Sequence, residues 1–195
     1  MSDNFGCVAN TIKTFSGSYF DLADPLPSMV DGRDIARGLA LTCRFGGQCP
    51  RPYSVAQHSL WCLEAARRMK LPRPVQLACL LHDAAEAYVG DVVKPLKVML
   101  PEFWPIERRV DDAVRRWARV SESAWSAEEV TTIDRAALLA ERDRLWPTDG
   151  VEWAGEDDPR IAKVPRLAVR LTPWPRAERE FLHELHVFRL MEGGR

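Results

Sequence analysis

Four side chains of the types that bind metal ions, those of His58, His82, Asp83 and Asp134, lie on three segments predicted to be helical. His82 interrupts an apolar stripe at helical spacing, where core side chains are expected. The stripe consists of Val75, Cys79, His82, Glu86 and Val89. Buried polar groups need partners, and buried charges are normally paired or bound to a metal. The dipeptide His82-Asp83 therefore places two potential metal ligands side by side in a predicted core.

His58 lies in a similar stripe on the preceding predicted helix. That stripe consists of Val55, His58, Cys62, Ala65 and Met69. Taken alone, each histidine is also explained by a bond to a backbone carbonyl, Asp83 by exposure to solvent, and Asp134 by the dipole of its helix. Two imidazoles on consecutive helices that face one core favour a shared partner. Together with two carboxylates they suit one divalent transition ion, Mn²⁺, Co²⁺, Fe²⁺ or Zn²⁺, better than Mg²⁺.

The elements that must position these residues are almost all predicted helices. Alternation around Ser16-Gly17 predicts a hairpin over 11–21, and capping residues, prolines and glycine stops predict the helices. They run from Asp31 or Asp34 to Gly46-Gly47, from Ser54 to about Lys70, from Val75 to about Val89, from Val92 to Leu100, from Glu102 to Arg119, from Thr131 or Thr132 to about Leu145, and from Arg176 to Met191. The predicted fold class is all-α, a helical bundle with a small N-terminal β-hairpin.

The length of 195 residues fits one domain spanning 1–195. Its core is predicted to cover about 11–145, and 146–195 to form an irregular wrapping loop and a closing helix. Hydrophobic residues make up 46% and charged residues 28%, as in an ordinary globular protein. A formal net charge of −1 gives no field that attracts a nucleic-acid polymer, so local Arg and Lys must meet any anionic substrate.

Cysteine usage and the length of apolar runs predict the compartment. The cysteines are odd in number and lack a CxxC pair, and the chain opens without a secretory signal. They are Cys7, Cys43, Cys49, Cys62 and Cys79. No apolar run approaches the length that spans a membrane. We therefore expect reduced thiols, a cytoplasmic location and no membrane partner.

Longer motifs surround the four potential ligands. They are Arg44 to Gly47 (RFGG), Tyr53 to Ser59 (YSVAQHS) and Leu81 to Asp91 (LHDAAEAYVGD). With them, the chain resembles the HD-domain metal-dependent phosphohydrolase superfamily, in the branch that holds bacterial 5′-nucleotidases and phage deoxyadenosine triphosphate triphosphohydrolases. The resemblance covers about 11–145. It implies an HD-domain fold in which His58, His82, Asp83 and Asp134 coordinate one divalent metal.

Two acidic residues near this predicted centre have candidate catalytic roles. Glu86 follows His82 by four residues and Asp83 by three, so a helix puts its carboxylate beside a metal-bound water, as general base or orienting group. The alternative role of Glu86 is to accept a hydrogen bond from a ligand imidazole. The resemblance implies that Asp91 is catalytic, and its alternative role is to cap a helix starting at Val92.

The substrate-binding candidates also come from the resemblance. Arg44 resembles the phosphate-contacting arginine of the family, a task that suits a planar guanidinium. Phe45 lies where relatives have an aromatic residue, and we expect it to pack on the sugar or base. Lys97 matches the family's lysine in a Pro-x-Lys setting and is preferred over Lys94. Either lysine is also explained as a solvated surface residue.

The sequence predicts a metal-dependent phosphohydrolase of (deoxy)nucleotide phosphates, in which a metal-activated water attacks phosphorus. Deoxyadenosine nucleotides are the substrates that the resemblance favours. Two alternatives stay open: a triphosphohydrolase that releases triphosphate intact, and a non-catalytic HD module that binds a nucleotide without turnover. The presence of all four ligands and Glu86 favours catalysis. The expected partner is a small-molecule nucleotide, and the association of relatives through helices leaves a homo-oligomer open.

Overall fold

The computed structural model describes residues 10–153 and 155–190, which fold mainly into α-helices. An antiparallel hairpin comes first, with β1 (Thr11–Lys13) paired to β2 (Tyr19–Asp21) across a turn that contains Gly17. The helices are α1 (Gly32–Leu41), α2 (Val55–Arg68), α3 (Arg73–Leu81), α4 (Glu86–Val89), α5 (Lys94–Met99), α6 (Phe103–Trp117), α7 (Glu122–Trp125), α8 (Glu128–Leu145) and α9 (Trp174–Leu190). The predicted fold class, an all-α bundle with a small N-terminal hairpin, is confirmed.

Cys7 and the predicted helix end at Met191 lie outside the described residues. Among the helices that the structure describes, none combines the length and apolar character needed to cross a membrane.

The predicted end of α1 at Gly46-Gly47 is wrong, because the helix stops at Leu41. Thr42 takes an extended conformation, and Cys43 then forms an isolated antiparallel bridge with Ser54. This bridge draws the chain after α1 alongside the start of α2. It is the local structure that brings the RFGG motif next to the helix carrying His58.

The continuous helix predicted from Val75 to Val89 is also wrong, because the chain tightens between α3 and α4. There the amide of Ala84 donates to the carbonyl of Leu81 at 2.8 Å, and the amide of Glu86 donates to the carbonyl of Asp83 at 3.0 Å. Bonds spanning three residues are typical of 3₁₀ winding, in which side chains three apart eclipse one another. Asp83 and Glu86 therefore share a face, as the spacing predicted, although no regular α-helix connects them.

The last two long helices begin earlier than predicted. α8 starts at Glu128 rather than at Thr131 or Thr132, and acidic residues in its first turn complement the helix dipole. α9 starts at Trp174 rather than Arg176, with Pro175 in the first turn, where a missing amide hydrogen costs nothing. Both additions lengthen helices that were correctly predicted to exist.

Helix α2 lies at the centre of the bundle and packs against α1, α3, α8 and α9. A capping box between Ser54 and Gln57 fixes its start, in which the Ser54 hydroxyl accepts from the Gln57 amide. The irregular segment between α8 and α9 runs along the same helix. There the Gln57 side chain donates to the carbonyl of Arg170 at 2.8 Å, and Trp61 donates to that of Leu167 at 3.3 Å. The helix that carries His58 is thus held on several sides.

Candidate metal centre

The structure brings His58 on α2, the His82-Asp83 pair after α3, and Asp134 on α8 into one cluster, whose ligand atoms all lie within 4.8 Å of one another. The Nε2 atoms of the two histidines are 3.2 Å apart. Asp134 Oδ1 lies 3.2 Å from His58 Nε2, and Asp83 Oδ2 lies 3.2 Å from His82 Nε2. Residues from three parts of the chain therefore point their donor atoms at a common volume.

The spacing of these donors fits a single transition-metal ion. Atoms bound to one ion at about 2.1 Å lie about 3.0 Å apart at right angles and about 3.4 Å apart at tetrahedral angles. The observed separations run from 3.2 Å to 3.7 Å. Two imidazoles with two carboxylates are also a donor set that suits first-row transition ions. The distances and the donor chemistry therefore both fit a divalent cation at this cluster.

Hydrogen bonds on the far side of each imidazole leave Nε2 free to bind that ion. His58 Nδ1 lies 2.6 Å from Glu141 Oε1, and His82 Nδ1 lies 3.0 Å from the carbonyl oxygen of Cys79. Both partners are acceptors, so each Nδ1 carries the hydrogen and each Nε2 presents a lone pair to the cluster. The alternative in which Glu86 accepts from a ligand imidazole is therefore wrong, because Glu141 and a backbone carbonyl fill that role.

Electrostatics within the cluster favour positive charge at its centre. Burial lowers the pKa of His82, but the carboxylates of Asp83 and Asp134 outweigh it and hold that pKa well above its ordinary value. Burial raises the pKa of Asp83, yet the imidazoles bring that pKa down to about 2. Burial also raises the pKa of Asp134, but the imidazoles hold it well below its usual range. In the absence of a cation, the two carboxylates therefore favour the protonated form of the His82 imidazole. A cation that binds His82 Nε2 must displace that proton, which makes cation binding pH-dependent.

Glu141 is a residue of the centre that was not among the predicted site residues. It is fully buried, and its second oxygen accepts from Arg44 Nε at 3.0 Å while the first accepts from His58. Burial raises the pKa of Glu141, but Arg44 and His58 outweigh it and keep the carboxylate ionised. A signal was present in the sequence, because Glu141 follows Asp134 by seven residues, two helical turns along the same face.

Arg44 lies in the wall of the centre. Its guanidinium contacts Glu141 and also approaches Asp83, with Nη1 3.5 Å from Oδ2. The backbone amide of Arg44 donates to the carbonyl of Tyr53, which ties the RFGG segment to the start of α2. The buried cation is thereby held next to a potential metal ligand, where it can face an anionic group bound at the centre.

Glu86 is buried close to the same ligands. Lys97 Nζ lies 3.5 Å from its Oε1, whereas Oε2 has no hydrogen-bond partner among the described residues. Burial raises the pKa of Glu86 to about 9, and the neighbouring carboxylates of Asp83 and Asp91 add to the effect. A buried carboxylate oxygen with no partner is normally explained by an unseen water or ion. Glu86 is therefore placed to take a hydrogen bond from a molecule bound in this site.

The structure separates the remaining candidates. Asp91 is half-buried, and burial raises its pKa although Arg44 opposes the shift. Its alternative role as a helix cap is wrong, because Val93 is the N-cap of α5 and no side chain caps that helix. Lys97 pairs with Glu86 and, at 2.5 Å, with Glu107. Lys94 is exposed and lies outside this network, so the structure brings Lys97 but not Lys94 to the centre.

Phe45 forms an aromatic cluster with two tryptophans from the segment after α8. Its ring meets that of Trp146 edge-on at 4.9 Å, and the ring of Trp153 lies 6.3 Å away. The guanidinium of Arg44 lies 5.3 Å from the centre of the Phe45 ring. An apolar surface therefore adjoins the charged wall of the centre. Trp146 and Trp153 were not among the predicted site residues, because nothing local in the sequence connects them to Phe45.

Comparison with known proteins identifies the family. The HD domain family matches residues 55–188, well over half of the chain. Uncharacterized protein YfdR of Escherichia coli (strain K12) is 34% identical over 142 residues, which cover 73% of this chain and 76% of that protein. Uncharacterized protein RCAP_rcc00048 of Rhodobacter capsulatus is 32% identical over 193 residues, covering 90% of this chain and 93% of that one. The chain belongs to the HD-domain family.

This membership agrees with the clustered His58, His82, Asp83 and Asp134, since HD domains bind divalent metals, and it indicates a metal-dependent phosphohydrolase. The names of the two relatives carry no activity or substrate.

Proposed function

We propose that the protein hydrolyses phosphate bonds of nucleotides, with deoxyadenosine nucleotides as preferred substrates. The observation that carries this proposal is the convergence of His58, His82, Asp83 and Asp134 beside the unpartnered buried oxygen of Glu86. A centre of this kind combines a cation site with a proton acceptor, the two elements that hydrolysis by an activated water requires. The presence of all four ligands also favours catalysis over simple binding.

The residues of the chain divide the chemistry among them. The four ligands would hold a divalent cation, which would supply Lewis acidity and lower the pKa of a water. Glu86 Oε2 would accept the proton of the water whose oxygen bonds to phosphorus, while the phosphorus–oxygen bond to the leaving group breaks. Glu86 must then be ionised in the loaded site, and the positive charge of the cation lowers its pKa, as Lys97 already does in part.

The phosphoryl group brings negative charge that the cation alone does not neutralise. Arg44 is oriented in advance by Glu141 and Asp83, so little side-chain freedom is lost when it binds a phosphate oxygen. Lys97 adds a second positive charge on the side of Glu86. Asp91 interacts electrostatically with Arg44 and Lys97. The resemblance gives Asp91 a catalytic role, which we retain in the proposal.

The nucleotide assignment depends on the aromatic cluster and on the resemblance to the nucleotidase branch. Phe45 adjoins Arg44, and Trp146 and Trp153 extend the same surface. Aromatic rings of this type stack on a nucleobase or pack against a sugar. A phosphate held by Arg44 would therefore leave the nucleoside beside the rings. The branch contains both 5′-nucleotidases and triphosphohydrolases, so release of phosphate and release of triphosphate are the two forms of the reaction.

The experiment is to incubate the purified full chain with Mn²⁺ or Co²⁺ and to identify the products from dAMP, dADP and dATP. Nucleosides and a non-nucleotide ester, p-nitrophenyl phosphate, serve as comparison compounds. Phosphate from dAMP identifies a nucleotidase, and intact triphosphate from dATP identifies a triphosphohydrolase. A metal-loaded protein that binds nucleotide but forms no product would establish the non-catalytic module instead. Faster hydrolysis of the non-nucleotide ester would overturn the nucleotide assignment.

A further inference from the structure

Cys62 lies beside the metal centre on the same helix as His58, one turn later. Its Sγ atom is 3.7 Å from His58 Nε2, and it forms with His58 and His82 a second set of ligand atoms within 4.8 Å of one another. The side chain is buried, with 1% of its surface exposed. A soft sulfur ligand is thus available at the imidazole pair that the two carboxylates also approach.

The distance matches shared coordination of one ion. An ion bound to sulfur at about 2.3 Å and to an imidazole nitrogen at about 2.1 Å places the two atoms about 3.6 Å apart at a tetrahedral angle. The observed 3.7 Å therefore needs almost no movement of Cys62 toward His58. Cys79 is also buried, but its thiol belongs to neither ligand set, and its carbonyl oxygen accepts from His82 Nδ1 at 3.0 Å.

We propose that Cys62 is an additional ligand of the centre, used by thiophilic cations together with His58 and His82. The site then offers two overlapping donor sets: a hard set of nitrogen and carboxylate for first-row divalent ions such as Mn²⁺ and Co²⁺, and a soft set of nitrogen and thiolate that Co²⁺, Zn²⁺ and Cd²⁺ also use. On binding, the thiol proton passes to solvent and a sulfur–metal bond forms, without any change in oxidation state. The inference deepens the proposed function, on whose metal centre it rests.

One consequence is selectivity among cations. Loss of the thiol removes a ligand only from the soft set, so Cys62→Ser is expected to weaken Cd²⁺ and Zn²⁺ binding by about tenfold or more. Mn²⁺ affinity is expected to change far less, because Mn²⁺ prefers oxygen and nitrogen donors. Activity with Mn²⁺ is not the readout, because Mn²⁺ binding depends on the imidazole and carboxylate ligands and not on the thiol.

The test is optical titration of the metal-free full chain with Co²⁺. Thiolate coordination produces a charge-transfer band in the near ultraviolet, separate from the visible d–d bands that report any bound Co²⁺. We expect the wild type to show both signals, Cys62→Ser to keep only the d–d bands, and the matched control Cys79→Ser to keep both. Circular dichroism of each variant checks that the helices persist, and Cys62→Ala provides a second substitution that removes the sulfur.

The outcomes distinguish this inference from the proposed function. Visible d–d bands without a charge-transfer band in the wild type would overturn the thiolate ligand and leave the phosphohydrolase proposal intact. A band that survives in both Cys62 variants, or that disappears in Cys79→Ser, would assign the sulfur elsewhere and also overturn it. Failure of the wild type to bind Co²⁺ at all would contradict the metal centre, and with it both proposals.

Discussion

Replacement of Glu141 by glutamine tests the network that orients the centre. The carboxylate accepts from His58 Nδ1 at one oxygen and from Arg44 Nε at the other. Glutamine has nearly the same shape but only one acceptor oxygen, so its NH₂ group must face one of the two donors. Either the ring orientation of His58 or the position of Arg44 is lost.

The magnitude follows from burial. A buried donor that loses its partner costs about 1–3 kcal/mol, and more if it is charged. Loss of the residue that orients a ligand imidazole typically lowers metal affinity by about 10–100-fold. We therefore expect Glu141→Gln to unfold about 1–3 kcal/mol more easily when metal-free and to bind Mn²⁺ about 10–100-fold more weakly.

The assay combines urea unfolding in the presence of a chelator with calorimetric titration of Mn²⁺. The matched control is Asp143→Asn, which removes the same charge from an exposed position of the same helix. That control is expected to change either quantity only slightly. Equal Mn²⁺ affinities for Glu141→Gln and the wild type would refute the role assigned to Glu141.

Three further predictions concern proton transfer, pH and packing. Glu86→Gln is expected to keep the cation and lose at least about 100-fold in kcat, and unchanged kcat would remove Glu86 from the mechanism. Burial raises the pKa of Asp111 to about 6 from its ordinary 3.8, although the bond from Trp125 opposes this. The ionisation of Asp111 as the pH rises from 4 to above 6 therefore lowers the free energy of unfolding of the metal-free protein by at most about 3 kcal/mol. Asp111→Asn should accordingly be more stable than wild type in urea at pH 8 but not at pH 4, and equal pH profiles would contradict this. The free energy of unfolding of Gly38→Ala should be about 1–3 kcal/mol lower, although alanine has the better helix propensity. The reason is that the added Cβ would lie 2.7 Å from the Ala87 carbonyl oxygen. Equal stability would show that α1 and α4 can separate.

The fold was largely predictable because its signals are local. The Ser54–Gln57 capping box, the prolines at the start of α3 and the alternation around Gly17 each act within a few residues. The errors occurred where distant contacts decide the outcome. α1 ends at Leu41 because the following chain pairs with Ser54, and the 3₁₀ turn after α3 interrupts a pattern that is helical in sequence.

The candidate site shows the same division. His58 and His82 were noticed because each is a polar residue in an apolar stripe, a property of one helix at a time. Glu141 shares a helical face with Asp134, but its role became clear only because the structure shows Arg44 and His58 donating to it. Trp153 reaches Phe45 through a segment without regular structure, where sequence spacing gives no direction. Side-chain pairs formed across helices therefore could not be predicted from the sequence.

The central claim is that His58, His82, Asp83 and Asp134 bind one divalent cation that hydrolysis requires. The most direct measurement is titration of the metal-free protein with Mn²⁺, following bound metal and product release from the nucleotide in the same samples. The account predicts saturation at one ion per chain, activity that rises in proportion to occupancy, and loss of both in Asp134→Asn. Unchanged Mn²⁺ affinity in Asp134→Asn, or hydrolysis that persists at zero occupancy, would contradict it.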